Sequence, residues 1–263
     1  MAESAKAVLL GLTGWPLKTS LSPALHRAFL KNCGLAGSYE LFPARGGELD
    51  RLFGSLAGRG FRGLNVTYPH KLKARELCSS LAGHARDLQA VNTVVFQQGD
   101  MTGYNTDVPG FLFMLSRIRT RAPYLIAGCG GVAEAVKKAL SIQGHDAVVF
   151  CRDPGGCRLS GDVRSVDELA DAVRARQPCT VINATTLGWR DSDTFPSGIR
   201  DLANSVFLDL NYNPGWQWRN ELKSSGTIVV TGEIMLLGQA AESFRIWTGC
   251  RPDTDGVLKR MKK

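Results

Sequence analysis

Tyr124 to Leu140 read YLIAGCGGVAEAVKKAL. Tyr124, Leu125 and Ile126 form a short apolar run of the kind that makes a buried parallel strand. Gly128, Gly130 and Gly131 follow. Val132, Ala133, Val136, Ala139 and Leu140 then recur at helical spacing. Gly128, Gly130 and Ala133 fit the fingerprint G-x-G-x-x-[G/A]. Its first glycine makes a tight turn, its second lets backbone approach a pyrophosphate, and its small third residue lets helix pack on strand. The N-terminus of the helix offers unpaired N–H groups to the phosphates. A second apolar strand, Ala147 to Cys151, ends about 20 residues on, where the ribose is expected. A nucleotide site is therefore expected, against an ordinary tight strand–helix turn as the alternative.

Outward from this stretch, strands and helices alternate. Val8 to Leu12, Ser38 to Phe42 and Gly63 to Thr67 read as strands. Helices are expected from Ser22 to Cys33, around Leu49 to Leu56, from His70-Lys71 onward and over Leu81 to Leu88. Ser22 suits the N-cap of its helix and Pro23 the first helical position, leaving Ser20 free of the cap. Val91 to Phe96 and Met101 to Asn105 read as a hairpin. Asn105-Thr106-Asp107 caps the helix that leads into the central strand, which suggests a domain boundary near Asp107. Beyond Cys151 a turn-rich loop, a helix over Asp167 to Gln177 and strands at Val181-Ile182, Val206 to Leu210 and Thr227 to Val230 are expected. Helices over Ile234 to Trp247 and Asp253 to Met261 close the chain. Such alternation implies parallel sheets, whose strand carboxyl ends carry ligands.

Composition narrows the function classes. The chain has 263 residues, enough for two modest α/β domains, and 44% of them are apolar. Apolar runs stay well short of the roughly 18 residues of a membrane span, and MAESAKAVLLGL lacks a signal-peptide layout. Neither a membrane nor an exported location is expected. The net charge of +8 is scattered apart from Lys259, Arg260, Lys262 and Lys263. With 8% aromatic residues, this suits anionic small molecules better than nucleic acid. The seven cysteines show no C-x-x-C and are read as reduced thiols in a cytoplasmic protein, with no metal site.

Eight stretches together resemble the shikimate dehydrogenase family. They are Ser20-Leu21-Ser22-Pro23, Asn65 to Lys71 (NVTYPHK), Ala90 to Thr93 (AVNT), Asn105-Thr106-Asp107, Gly128-Cys129-Gly130-Gly131, Asn183 to Gly188 (NATTLG), Tyr212-Asn213-Pro214 and Gln239-Ala240-Ala241. They stand in the family's order and span nearly the whole chain. The resemblance implies an α/β fold of two domains separated by a cleft. A substrate-binding domain (1–106 plus 235–263) would join a Rossmann-like, doubly wound nicotinamide-binding domain (107–234). The implied reaction is the reversible NADP-dependent reduction of 3-dehydroshikimate to shikimate in aromatic amino acid biosynthesis.

Carried over by position, the resemblance gives Ser20 and Ser22 to the substrate carboxylate. Thr67, Asn92, Asp107 and Gln239 go to its hydroxyls. Lys71 becomes the catalytic acid and base, with Asp107 beside it. Tyr212 is placed to line the same site. A polyhydroxylated carboxylate does need such converging short polar side chains. The cofactor would be held by Gly128, Cys129, Gly130, Gly131 and Val132, by Arg152 and Asp153 at the ribose, and by Thr185, Leu210 and Gly232 at later strand ends. Arg152, with Arg158 in support, favours the 2′-phosphate of NADP, whereas Asp153 would suit the ribose hydroxyls of NAD. The chain departs from the family pattern at Thr19 (usually His), at Cys151-Arg152-Asp153 (usually Asn-Arg-Thr), in the glycine-rich loop that follows, and at Ile234 (usually Gly). The competing readings are a paralogue acting on quinate or aminoshikimate with NAD, a non-catalytic nucleotide-binding protein, and a nucleic-acid-binding module. A monomer or homodimer is expected.

Overall fold

The structure is a computed structural model that describes residues 7–17, 20–190, 192–195, 202, 204–212, 216 and 218–261. In chain order the first elements are β1 (Val8–Gly14), α1 (Ser22–Asn32), β2 (Gly37–Pro43), α2 (Leu49–Gly58), β3 (Gly63–Val66) and α3 (Lys71–Leu77). There follow β4 (Ser80–Leu81), β5 (Thr93–Gln97), β6 (Asp100–Tyr104), α4 (Asp107–Leu115), β7 (Tyr124–Ala127), α5 (Gly131–Ile142), β8 (Ala147–Cys151) and β9 (Val163–Ser165). The last are α6 (Leu169–Arg176), β10 (Thr180–Asn183), β11 (Val206–Asp209), α7 (Trp218–Ser224), β12 (Ile228–Thr231), α8 (Glu233–Thr248) and α9 (Thr254–Met261). They form two compact units, Met1–Gly110 with Leu236–Lys263, and Phe111–Met235.

The first unit is built on a six-stranded sheet of order β2-β1-β3-β5-β6-β4. β1 runs parallel to β2 and β3, while β5 is antiparallel to β3 and to β6. This register brings the end of β1, the end of β3, the start of β5 and the end of β6 to one edge. Thr13 pairs with Val66, Asn65 with Thr93 and Thr93 with Tyr104. The core on one side packs Leu49, Phe53 and Leu56 of α2 against Leu64, Val66, Val94 and Phe96 of the strands. Trp247 of α8 lies so close to β3 that a Cβ on Gly63 would fall 1.9 Å from its Nε1. That nitrogen donates to the Val94 carbonyl at 2.9 Å.

The second unit is a parallel sheet of order β12-β11-β10-β7-β8-β9. Its central strands are buried throughout, which explains why they read as continuous apolar runs. Leu125, Val181 and Phe207 of three neighbouring strands pack with Leu169 and Val173 of α6 and with Trp216, Trp218 and Leu222.

Several local expectations are corrected. Leu21 occupies the cap position of α1, and Ser22 lies inside the helix with its N–H donating to Ser20 Oγ at 3.1 Å. The serine read as free of the cap is therefore the one that serves the helix start. Gly83–Arg86 is a single 3₁₀ turn in place of a full helix, entered by Gly83 at φ +54°, outside the right-handed helical region. α6 begins at Leu169, after a 3₁₀ turn whose capping box pairs Ser165 with Glu168. The cysteines are not all thiols: Cys33, at the end of α1, is bonded to Cys250, just beyond α8. The pairing was invisible in the sequence because 217 residues separate the partners. Thr19, Asn213, Pro214, Lys262 and Lys263 lie outside the described residues.

His26 is fully buried in the first unit, stacked on Tyr39 at 4.1 Å and edge-on to Phe29. Among the described residues, neither ring nitrogen has a hydrogen-bond partner. Burial lowers its proton affinity to a pKa of about 3. The unfolded chain, near 6.5, therefore takes up a proton that the folded chain refuses. The resulting stability is complete above about pH 6.5 and is lost as pH falls toward 3, at up to ~1.4 kcal/mol per pH unit. Urea denaturation from pH 7 to 4 is expected to show this slope, and His26→Phe is expected to flatten it. An equal slope in the variant would contradict the assignment.

Candidate active site

Lys71 opens α3 directly after the β3 turn, and its Nζ lies 2.6 Å from Asp107 Oδ2. The two side chains are only 16% and 8% exposed. Asp107 opens α4, where the helix dipole favours a carboxylate. Its other oxygen accepts from Asn92 Nδ2 at 2.8 Å. Asn105 Oδ1 accepts the N–H groups of Asp107 and Val108 at 3.1 and 3.4 Å, so Asn105 is the side-chain cap of α4. Both carboxylate oxygens and the backbone of Asp107 are thus fixed.

Asn92 is the centre of the arrangement. Its Oδ1 accepts from Thr106 N at 2.8 Å and from the Thr93 and Thr106 hydroxyls at 3.1 Å. Asn65 Nδ2 lies 3.2 Å from the Asn92 carbonyl and 3.0 Å from Ser243 Oγ of α8. Asn65 Oδ1 accepts from Tyr39 Oη at 2.8 Å. Gln239, one turn before Ser243, accepts from Thr106 Oγ1 at 3.4 Å and is half-buried. Thr67 is half-buried at the same sheet edge, its N–H donating to Thr13 O at 2.9 Å.

In the second unit, Gly128 leaves β7 at φ +109°, and its N–H donates to Phe150 O at 2.8 Å. A Cβ there would stand 2.9 Å from Ala184 O, so a side chain is excluded on two counts. Gly130 is the N-cap of α5 and brings no side chain to the amides of its first turn, the kind of helix start that suits an anion. Thr185 is held by Asn183, whose Oδ1 accepts its N–H and its hydroxyl at 3.1 and 2.6 Å. Asn183 in turn donates to Asp209 Oδ1 at 3.0 Å, beside the ion pair of Asp209 with Arg219, also at 3.0 Å. Burial raises the Asp209 carboxyl to a pKa of about 6, against the opposing pull of Arg219. Gly232 approaches Leu210 so closely that a Cβ would fall 2.1 Å from its carbonyl oxygen. Gly128, Arg152, Thr185, Leu210 and Gly232 all follow carboxyl ends of parallel strands.

Residues 12–94 match the shikimate dehydrogenase substrate binding domain, and residues 234–262 match the shikimate 5′-dehydrogenase C-terminal domain. The shikimate dehydrogenase (NADP(+)) of Thermus thermophilus is 36% identical over 95% of this chain and 96% of its own. The chain belongs to the shikimate dehydrogenase family. A crystal structure of shikimate dehydrogenase from Aquifex aeolicus aligns at a TM-score of 0.88 with 29% identity, covering 99% of this chain and 100% of that one. The Thermus thermophilus enzyme in complex with NADP(H) and shikimate aligns at 0.84 with 32% identity, covering 96% and 97%.

The structure brings some of the residues singled out in the sequence together and leaves others apart. Lys71, Asp107 and Asn92 are in direct contact, and Gln239 joins them through Thr106. Ser20 and Ser22 touch each other at the start of α1. Tyr212 packs edge-on against Trp189 in the second unit, with ring centroids 4.9 Å apart. Asp153 is committed to its own loop, its Oδ1 accepting from Gly156 N at 3.1 Å, while Arg152 and Arg158 are exposed. Ser243 was missed as a site-supporting residue. Its signal was a serine one turn beyond Gln239 on the buried face of a helix.

A second feature escaped the motif reading. The sulfurs of Cys129, Cys151 and Cys157 all lie within 4.8 Å of one another. Cys129 is exposed as a residue, but partial burial of its sulfur, then a hydrogen bond to Cys151 and repulsion from the neighbouring thiols, pushes its thiol up to about 12. No C-x-x-C announces this group, because the glycine turn and the end of β8 bring it together.

Asn92→Ala is expected to lower the unfolding free energy by roughly 2–4 kcal/mol, because it strands the buried Thr106 N–H and frees one Asp107 oxygen. Chemical denaturation measures this directly. A loss below about 1 kcal/mol would mean that the network closes without Asn92.

Proposed function

We propose that the protein is an NADP-dependent shikimate dehydrogenase, an oxidoreductase that interconverts 3-dehydroshikimate and shikimate in aromatic amino acid biosynthesis. The observation that carries this reading is the Lys71–Asp107 contact at 2.6 Å, with Asn92 holding the second carboxylate oxygen. We assign the ring substrate to 1–106 with 235–263, and the dinucleotide to 107–234. The protein is taken to act in the cytoplasm as a monomer or homodimer. None of its helices, among the described residues, is long and apolar enough to cross a membrane.

Bound NADPH would supply a hydride to the ring carbonyl carbon. As negative charge develops on the carbonyl oxygen, the Lys71 ammonium stabilises it and delivers a proton. In the reverse direction the Lys71 amine accepts the proton of the same hydroxyl. Asp107 holds the lysine in place and accepts from a substrate hydroxyl, a double role that needs both of its oxygens fixed. Ser20 and Ser22 supply hydroxyl donors for the ring carboxylate, Ser20 while its lone pair also serves the Ser22 N–H. Thr67, Asn92 and Gln239 supply the remaining polar contacts.

The glycine turn fits a pyrophosphate, since Gly128 holds a positive φ that a side chain would strain and the N-cap of α5, Gly130, brings no side chain to its first turn. Gly128, Cys129, Gly130, Gly131 and Val132 would hold it, with Thr185, Leu210 and Gly232 toward the nicotinamide end. The 2′-phosphate reading is favoured by the two exposed guanidinium groups of Arg152 and Arg158, while the exposed Asp153 spends one carboxylate oxygen on Gly156 N.

Initial rates with shikimate and quinate, each with NADP and NAD, are expected to be highest with shikimate and NADP. Faster turnover of quinate, or better efficiency with NAD, would assign the chain to the other branch of the family. Lys71→Ala is expected to cut kcat by about 10²–10⁴-fold. Its thermal midpoint should move little, because Asp107 retains Asn92 and the helix N-terminus. Preserved kcat with a lowered midpoint would make Lys71 structural.

A further inference from the structure

We propose that Cys129, Cys151 and Cys157 form a three-thiolate site for a soft d¹⁰ cation of the zinc class, whose occupancy excludes the dinucleotide. Three separate pieces of chain converge to make it. Cys129 stands inside the glycine turn, Cys151 ends β8, and Cys157 comes from the loop beyond. The sulfurs lie within 4.8 Å of one another, each offering one ligand atom. Among the described residues this is the one group of three or more histidine, cysteine or acidic side chains that converges in this way.

The geometry is close to what such an ion requires. Zinc–sulfur bonds of about 2.3 Å set the sulfurs of a tetrahedral site roughly 3.8 Å apart. Side-chain shifts of about an ångström would close the set, and all three side chains come from loops or a strand end. Cys151 is buried, Cys157 half-buried and Cys129 exposed, so the site has both a floor and an entry path. On binding, each thiol releases its proton as its sulfur–metal bond forms. Water completes the fourth position, and the oxidation states of metal and sulfur are unchanged.

The location gives the site its consequence. Cys129 lies between the glycines that would face the pyrophosphate, and Cys151 precedes Arg152, which would face the 2′-phosphate. A cation held here draws the glycine turn and the end of β8 together and occupies the path of the adenosine phosphates. This second step rests on the NADP reading above, whereas metal binding does not.

The test uses the full chain, reduced with a phosphine, and zinc as the probe. Equilibrium dialysis with elemental analysis is expected to give one more zinc per chain for the wild type than for Cys157→Ser. Cobalt in place of zinc is expected to give thiolate-to-metal charge-transfer bands that Cys157→Ser lacks. Cys78→Ser, whose thiol lies in the first unit, should behave as wild type, and thermal melts check that each variant folds. Equal zinc content in wild type and Cys157→Ser would overturn the site. So would a disulfide among these three cysteines that persists in the reduced protein. NADP binding is then followed directly by fluorescence. With zinc at ten times its own dissociation constant, the apparent Kd of NADP is expected to rise about tenfold in wild type and to stay fixed in Cys157→Ser. Zinc binding with unchanged NADP affinity would overturn the exclusion. Failure to bind NADP even without zinc would instead overturn the cofactor reading.

Discussion

The geometry of the first unit depends on the amide of Asn92. It is buried, and both its side-chain oxygen and its side-chain nitrogen are engaged with residues that have their own place at the sheet edge. A buried amide left unsatisfied is costly, so the arrangement is close to all-or-none. Thr106 N meets Asn92 Oδ1 because the chain turns after β6 as it does, and that turn starts α4 at Asp107. Lys71 arrives from a different strand, but its backbone is held too, since its carbonyl accepts from Val91 N at 3.0 Å. The acid–base pair is therefore anchored from both sides, and neither side chain has to search for the other.

The second unit uses the same device. Asn183 ends β10, with one face of its amide gripping Thr185 and the other resting on Asp209. Asp209 is in turn paired with Arg219. A charge so deeply buried is tolerated because three donors and a guanidinium converge on it. The result is a stiff edge to the parallel sheet. Against that edge, Gly128 and Gly232 bring backbone to within distances that no side chain would allow. In both units a buried asparagine turns the end of a strand into a fixed loop.

Much of this was legible in the sequence, for identifiable reasons. The parallel strands read as apolar runs because both faces of the sheet are covered, and the glycine turn read clearly because Gly128 needs both its positive φ and its missing Cβ. Lys71, Asn92 and Asp107 were found through the stretches that contain them. What could not be read depends on contacts distant in sequence. Ser243 meets Asn65 across 178 positions, and Cys33 meets Cys250 across 217. The roles of Ser20 and Ser22 at the helix start were exchanged because local preference favours serine as a cap without saying which serine's hydroxyl is within reach. The thiol cluster was hidden for a related reason: its members are adjacent only once β7 and β8 pair.

These long-range contacts also explain why the last helices belong to the first unit. Ser243 on α8 accepts from Asn65 and exchanges hydrogen bonds with Thr93 and Thr106. One turn further, Trp247 fills the space over Gly63 and donates to Val94. Cys250 then ties the end of α8 to α1. Without α8, Asn65, Thr93 and Thr106 would each lose a buried partner, and Gly63 would face a void. The first 110 residues thus contain Lys71, Asn92 and Asp107 but lack the groups that satisfy the network around them. Loop closure over so many residues carries an entropic cost that grows only slowly with length, and burial of Trp247 with a satisfied hydroxyl cluster offsets it. The polar network is consequently complete only when the C-terminal segment has returned to the sheet on which the chain began.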